Sequence, residues 1–86
     1  MPIAYVLINC ESGSESIIIR ELKRLSQVVE VSKVDGSYDL IAKVTADTVD
    51  KVKEVISLKI RGFEQIRTTL TLIAMEEEEQ RERKNK

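Results

Sequence analysis

The chain has 86 residues, 42% of them hydrophobic and 34% charged, with a formal net charge of −1. That is one domain, with a core small enough that association between subunits should help it. It has no histidine, no tryptophan and a single cysteine, Cys10, which removes the commonest acid–base residue, a thiolate metal cluster and an intrachain disulfide.

The near-zero charge gives no overall electrostatic drive toward nucleic acid or anionic membrane. The N-terminus MPIAYVLINCESG lacks a basic region and a long apolar run, unlike a secretory signal. No apolar segment nears the ~18 residues of a membrane span. With its one unpaired cysteine, the chain is expected in the cytoplasm, with no cofactor.

Residues 3–10, IAYVLINC, form a short apolar run that predicts a first strand. Tyr5 and Leu7 fall on one face, Val6 and Ile8 on the other, so both faces need cover. ESGSES follows: Ser12 and Glu15 have capping-box spacing, with Ser14 a competing cap. Ile18, Leu22, Leu25 and Val29 recur at helical steps, predicting a helix over 14–27. Arg20, Lys23 and Arg24 lie off that stripe and should be solvated.

VEVSKVD, residues 29–35, reads as a second strand, and Asp35-Gly36-Ser37 as the turn of a hairpin. The third strand is 38–45, with Tyr38, Leu40, Ala42 and Val44 on one face. Asp47 is the expected cap of a second helix over 47–59, with Val49, Val52, Val55 and Ile56 buried and Gly62 near its stop. The fourth strand is 64–75. It puts Ile66, Leu70, Leu72 and Ala74 with Thr68, and Arg67, Thr69, Thr71 and Ile73 opposite.

The tail, 76–86, holds five acids and four bases, which leaves ten of each in the body. It has no apolar face and is expected to be solvated. The domain proper is therefore set at 1–75. Its order, β-α-β-β-α-β, is the ferredoxin-like α+β arrangement: a four-stranded antiparallel sheet with two helices on one face. The other face carries Tyr5, Leu7 and the threonine-rich side of the last strand, or their neighbours one residue over; either way it keeps apolar groups without a lid, and such a patch marks an interaction surface. Two sheets face to face predict a homodimer, a dimeric α/β barrel.

Three stretches in this order resemble the ligand-binding domain of the Lrp/AsnC family, also called the RAM (regulation of amino-acid metabolism) domain. They are the opening strand AYVLINCESG, the hairpin VDGSYDLIAKV and the closing IRGFEQIRTTLTLI; together they span nearly all of residues 3–74. The resemblance implies a dimer that assembles further into an oligomer of dimers. It also implies a free amino acid or similar small metabolite bound between subunits. In full-length relatives a separate helix-turn-helix then reads DNA. No helix-turn-helix fits before the first strand or in the tail. The expectation is a stand-alone sensing or assembly module that does not itself bind DNA or membrane. It would act through its own oligomers or with a full-length Lrp/AsnC homologue.

The resemblance places the effector loop at Asp35, Gly36, Ser37, Tyr38 and Asp39. Their ordinary reading is a hairpin tip, with glycine permitting the turn and Asp and Ser satisfying local backbone. Their functional reading is an amino-acid pocket. Amides around Gly36 and the Ser37 hydroxyl meet the carboxylate, and Asp35 or Asp39 meets the ammonium. Thr68, Thr69 and Thr71 are good strand formers, which the resemblance also enlists from a neighbouring subunit. Arg61 and Arg67 read as surface arginines able to pair with a carboxylate. Cys10 reads as a small packed residue.

An ACT-like allosteric module shares the element order but fits the hairpin and last strand less well. A small dimeric α/β-barrel enzyme usually places histidine or several aromatics in its cavity. Here only Tyr5, Tyr38 and Phe63 are aromatic, and no nucleophile or metal set accompanies the acids, so no enzyme activity is expected.

Overall fold

The first strand organises everything around it. In the computed structural model, which describes residues 1–74, β1 (Ile3–Cys10) lies inside a four-stranded antiparallel sheet and pairs on both edges. The chain continues as α1 (Glu15–Lys23), β2 (Val28–Lys33), β3 (Leu40–Thr45), α2 (Val49–Val55) and β4 (Ile66–Ile73). The strand order is β2-β3-β1-β4. This is the ferredoxin-like arrangement expected from the element order. The charged tail lies outside the described residues.

β1 alternates strictly. Ala4, Val6, Ile8 and Cys10 are buried, and Ile3, Tyr5, Leu7 and Asn9 are half-buried on the opposite face. Leu40, Ala42 and Val44 of β3 extend the buried layer. Both helices cover it, with Ile18 and Leu22 from α1 and Val52, Val55, Ile56 and Ile60 from α2 and its extension. On the uncovered face the register lines up Ile41, Leu7 and Leu70 across three strands, with Leu72 beside Tyr5. Leu70 is 43% exposed and Leu72 52%.

Several local expectations shift. Ser14, not Ser12, precedes α1 as its N-cap, and its hydroxyl donates to the Glu11 carbonyl (2.6 Å) rather than capping the helix. Gly13, at φ 86°, allows that tight entry. α1 ends at Lys23, where Arg24 and Leu25 donate to carbonyls three residues back. Val29 therefore leaves the helical stripe; it sits at a bulge in β2 and is 58% exposed. Arg20, Lys23 and Arg24 are solvated as expected.

The cap of α2 is Thr48, whose side chain accepts from the Lys51 amide (3.1 Å). Asp47 is one residue too early. Val49 is 40% exposed rather than buried. The helix then widens into a π turn over Ile56–Ile60, where the Arg61 amide donates to the Ile56 carbonyl five residues back (2.9 Å). The wider turn keeps Ile56 and Ile60 in the core and leaves Leu58 in solvent.

β3 begins at Leu40 rather than 38. Val34 and Asp39 close the β2–β3 connection by a backbone bond (3.0 Å), so the hairpin loop is the four residues 35–38 rather than a tight turn. In β4, a register shift opposite Asn9 and Cys10 turns Ile66 to the helix side, away from Leu70 and Leu72.

Thr48→Ala should cost about 1 kcal/mol, a melting-temperature loss of about 4–8 °C in a chain this small. Asp47→Ala, which removes only a charge near the helix start, should cost less than half as much. Urea and thermal unfolding of the two variants check the order.

Candidate functional site

The bulge in the β1–β4 pairing and the β2–β3 loop meet at the same end of the sheet. Asp39 joins them. Its amide donates to the Ile8 carbonyl (2.9 Å), and its carboxylate Oδ2 accepts from the Cys10 amide (2.9 Å). Asp39 thus carries the β1–β3 pairing one step past the strands. Its other carboxylate oxygen has no protein partner among the described residues. The Cys10 thiol is pushed above its ordinary pKa, first by burial and then by the charges of Asp39 and Glu15.

Beyond Asp39 the loop stands in solvent. Asp35, Gly36 and Ser37 are exposed and Tyr38 is half-buried. Gly36 has φ 145°, and a Cβ there would meet nothing within 4 Å, so backbone conformation alone calls for glycine. Among the described residues the amides of 35–38 donate no hydrogen bond. Unpaired amides beside a hydroxyl and two carboxylates can hold both ends of a zwitterion.

The three threonines divide. Thr68 lies opposite Asn9, whose side-chain amide donates to its hydroxyl (3.3 Å). Thr69 and Thr71 face the helix side, opposite Ile8 and Val6, and are half-buried. The uncovered sheet face is therefore leucine-rich at β4, and the threonine-rich side looks toward α2. Within one chain β1 separates the loop from β4, so the loop residues and the threonines do not converge.

Sequence reading passed over the cleft between β4 and α2. It measures about 750 Å³. Thr68, Thr69 and Thr71 line it along β4 with Ser57 opposite, over Ile56, Ile66 and Ile73. Lys53, Arg61 and Arg67 surround it. Charges from the helix and the strand meet there only after folding. Reading Arg61 and Arg67 as a pair with Lys53 was the available signal. Among the described residues, no group of three or more acids, cysteines or histidines is placed to hold a metal ion.

The Lrp/AsnC ligand binding domain model matches residues 3–83. The chain belongs to that family. Regulatory protein AsnC of Haemophilus influenzae is 32% identical over 59 residues, covering 69% of this chain and 39% of that protein. Homocitrate synthase of Saccharolobus islandicus is 29% identical over 73 residues, covering 84% of this chain and 16% of that protein. The chain thus spans well under half of these curated relatives. In structure it is similar to protein PHS023 of Pyrococcus horikoshii, with a TM-score of 0.84 and 36% identity over 91% of this chain and 94% of that one. This Lrp/AsnC chain is a ligand-binding domain of a regulatory family. Among the described residues no helix is long and apolar enough to cross a membrane.

Asp39→Ala strips the Cys10 amide of its acceptor and should cost about 1–3 kcal/mol. It should also speed alkylation of the Cys10 thiol near pH 8, because an anion and a strand clamp are lost together. Asp39→Asn, which keeps an acceptor oxygen, should recover part of the stability. Urea unfolding and timed iodoacetamide labelling measure both effects.

Proposed function

We propose that this domain is an amino-acid-binding regulatory module that signals by changing its assembly. Two copies pair through the uncovered sheet faces into a homodimer, and dimers associate further. The loop 35–38 meets the ligand carboxylate with its amides and the Ser37 hydroxyl. Asp35, with the free oxygen of Asp39, meets the ammonium. Tyr38 walls the site, and Thr68, Thr69 and Thr71 of a neighbouring subunit complete it. The observation that carries this reading is the unpaired set of loop amides beside Asp35, in a chain of the Lrp/AsnC ligand-binding family. The signal passes through the domain's own oligomers or through a DNA-binding homologue, with no direct contact between this domain and DNA. The domain supplies no catalysis, and its place is the cytoplasm.

A second reading has one observation behind it. The match to homocitrate synthase covers most of this chain but a small part of that enzyme. The same domain would then act as an ACT-like allosteric module, with enzyme activity rather than DNA occupancy as its output.

The twenty amino acids should be screened by thermal shift, with light scattering of the same samples. At about 100 times Kd a ligand adds about 2.7 kcal/mol, which raises the melting temperature of a small domain by about 10 °C or more. The reading expects at least one amino acid to do this and to increase the scattering mass. Asp35→Asn should weaken the response at least tenfold with the dimer intact. No response to any of the twenty contradicts the reading, and an unchanged response in Asp35→Asn removes that carboxylate from the site.

A further inference from the structure

The cleft between β4 and α2 carries a charge pattern that a zwitterionic ligand leaves unused. Lys53, Arg61 and Arg67 line it, and no carboxylate does. Among the described residues the side-chain ion pairs are Glu21–Arg24 and Lys51–Glu54, which involve none of the three. The whole chain has a net charge of −1, so this positive excess is local. A cleft lined by one sign of charge over a low-dielectric floor concentrates its potential on what enters. Buried Ile56 helps form that floor.

We infer that this cleft binds a small organic dicarboxylate. Guanidinium groups pair with carboxylates through two parallel hydrogen bonds. Arg61 and Arg67 stand where the helical segment ends and β4 begins, a place for one such pair. Lys53 lies eight residues before Arg61, on the other side of the π turn, and its long side chain can bend inward to the second carboxylate. Ile56 packs against the carbon chain between them, and Thr69 and Thr71 can donate to either end.

A monocarboxylate would leave cations unmatched. An ammonium would find no acceptor anion in the lining. A 2-oxo or unsubstituted dicarboxylate therefore fits the cleft at least as well as a dicarboxylic amino acid. This inference rests on Lys53, Arg61 and Arg67, which the amino-acid site does not use, although the two sites share Thr69 and Thr71.

Calorimetric titration of the full chain at low salt tests it, with 2-oxoglutarate and succinate as probes and acetate as control. The dicarboxylates should bind at least about tenfold more tightly than acetate. Arg61→Gln and Arg67→Gln should each weaken them about tenfold. Both side chains are exposed, and circular dichroism should show both variants folded.

Equal, weak binding of all three probes overturns the inference, as does unchanged affinity in both variants. Binding that emerges only when Glu76–Glu79 are changed to Gln also overturns it, because the cleft then serves the chain's own acids. An amino-acid response without dicarboxylate binding overturns this inference while leaving the proposed function standing.

Discussion

A strand that is apolar on both faces must be covered on both faces, and β1 receives a lid from its own chain on only one. Its even-numbered residues lie under α1 and α2. Its odd-numbered residues, Tyr5 and Leu7, join Ile41, Leu70 and Leu72 on a surface no described helix reaches. The magnitudes decide how much of that surface must take part in pairing. Burying the exposed halves of Leu70 and Leu72 contributes on the order of 1 kcal/mol per side chain. Four such side chains across two copies reach only the low end of the roughly 4–15 kcal/mol that association costs. In the proposed homodimer, Tyr5, Leu7 and Ile41 would therefore share the contact, over the centre of the sheet rather than at its rim.

The same strand positions the chemistry. At its end, the bulge opposite Asn9 and Cys10 releases Ile66 to the core and begins β4 one residue out of step. Asp39 then fastens the β2–β3 loop to the Cys10 amide. An exposed loop thus stands on a fixed foot at the end of the sheet where β4 begins. Asp39 has a structural duty whatever the loop binds, and Asp35 is the carboxylate left without one. A ligand site divided between this loop and the threonines of β4 needs two chains, because β1 separates them in one. Assembly and ligand binding would then be the same event.

Much of the fold was legible. The six elements appear in the expected order because their hydrophobic periods differ clearly, two in the strands and near 3.6 in the helices. Ile18 and Leu22, and Val52 and Ile56, are buried where helical spacing puts them. The misses are local. Val29 continued the α1 stripe by coincidence, since a β-branched residue at a bulge keeps the same spacing. Thr48 and Asp47 are both good caps, and only backbone geometry chooses between them. Ile66 changed face because a one-residue bulge reverses a period of two. The site was less legible for a plainer reason. The motif around Gly36 is contiguous and could be read directly, whereas the Lys53, Arg61 and Arg67 cluster unites a helix, its exit and a strand.

Sedimentation equilibrium of the unliganded full chain, set beside Leu72→Lys, tests the central claim most directly. A chain of 9.8 kDa that closes its sheet with a second copy should sediment at twice that mass or a multiple of it at micromolar concentration. The lysine variant should remain folded and shift toward the single-chain mass. A native chain that stays at 9.8 kDa, folded and without binding a hydrophobic dye, would contradict the account.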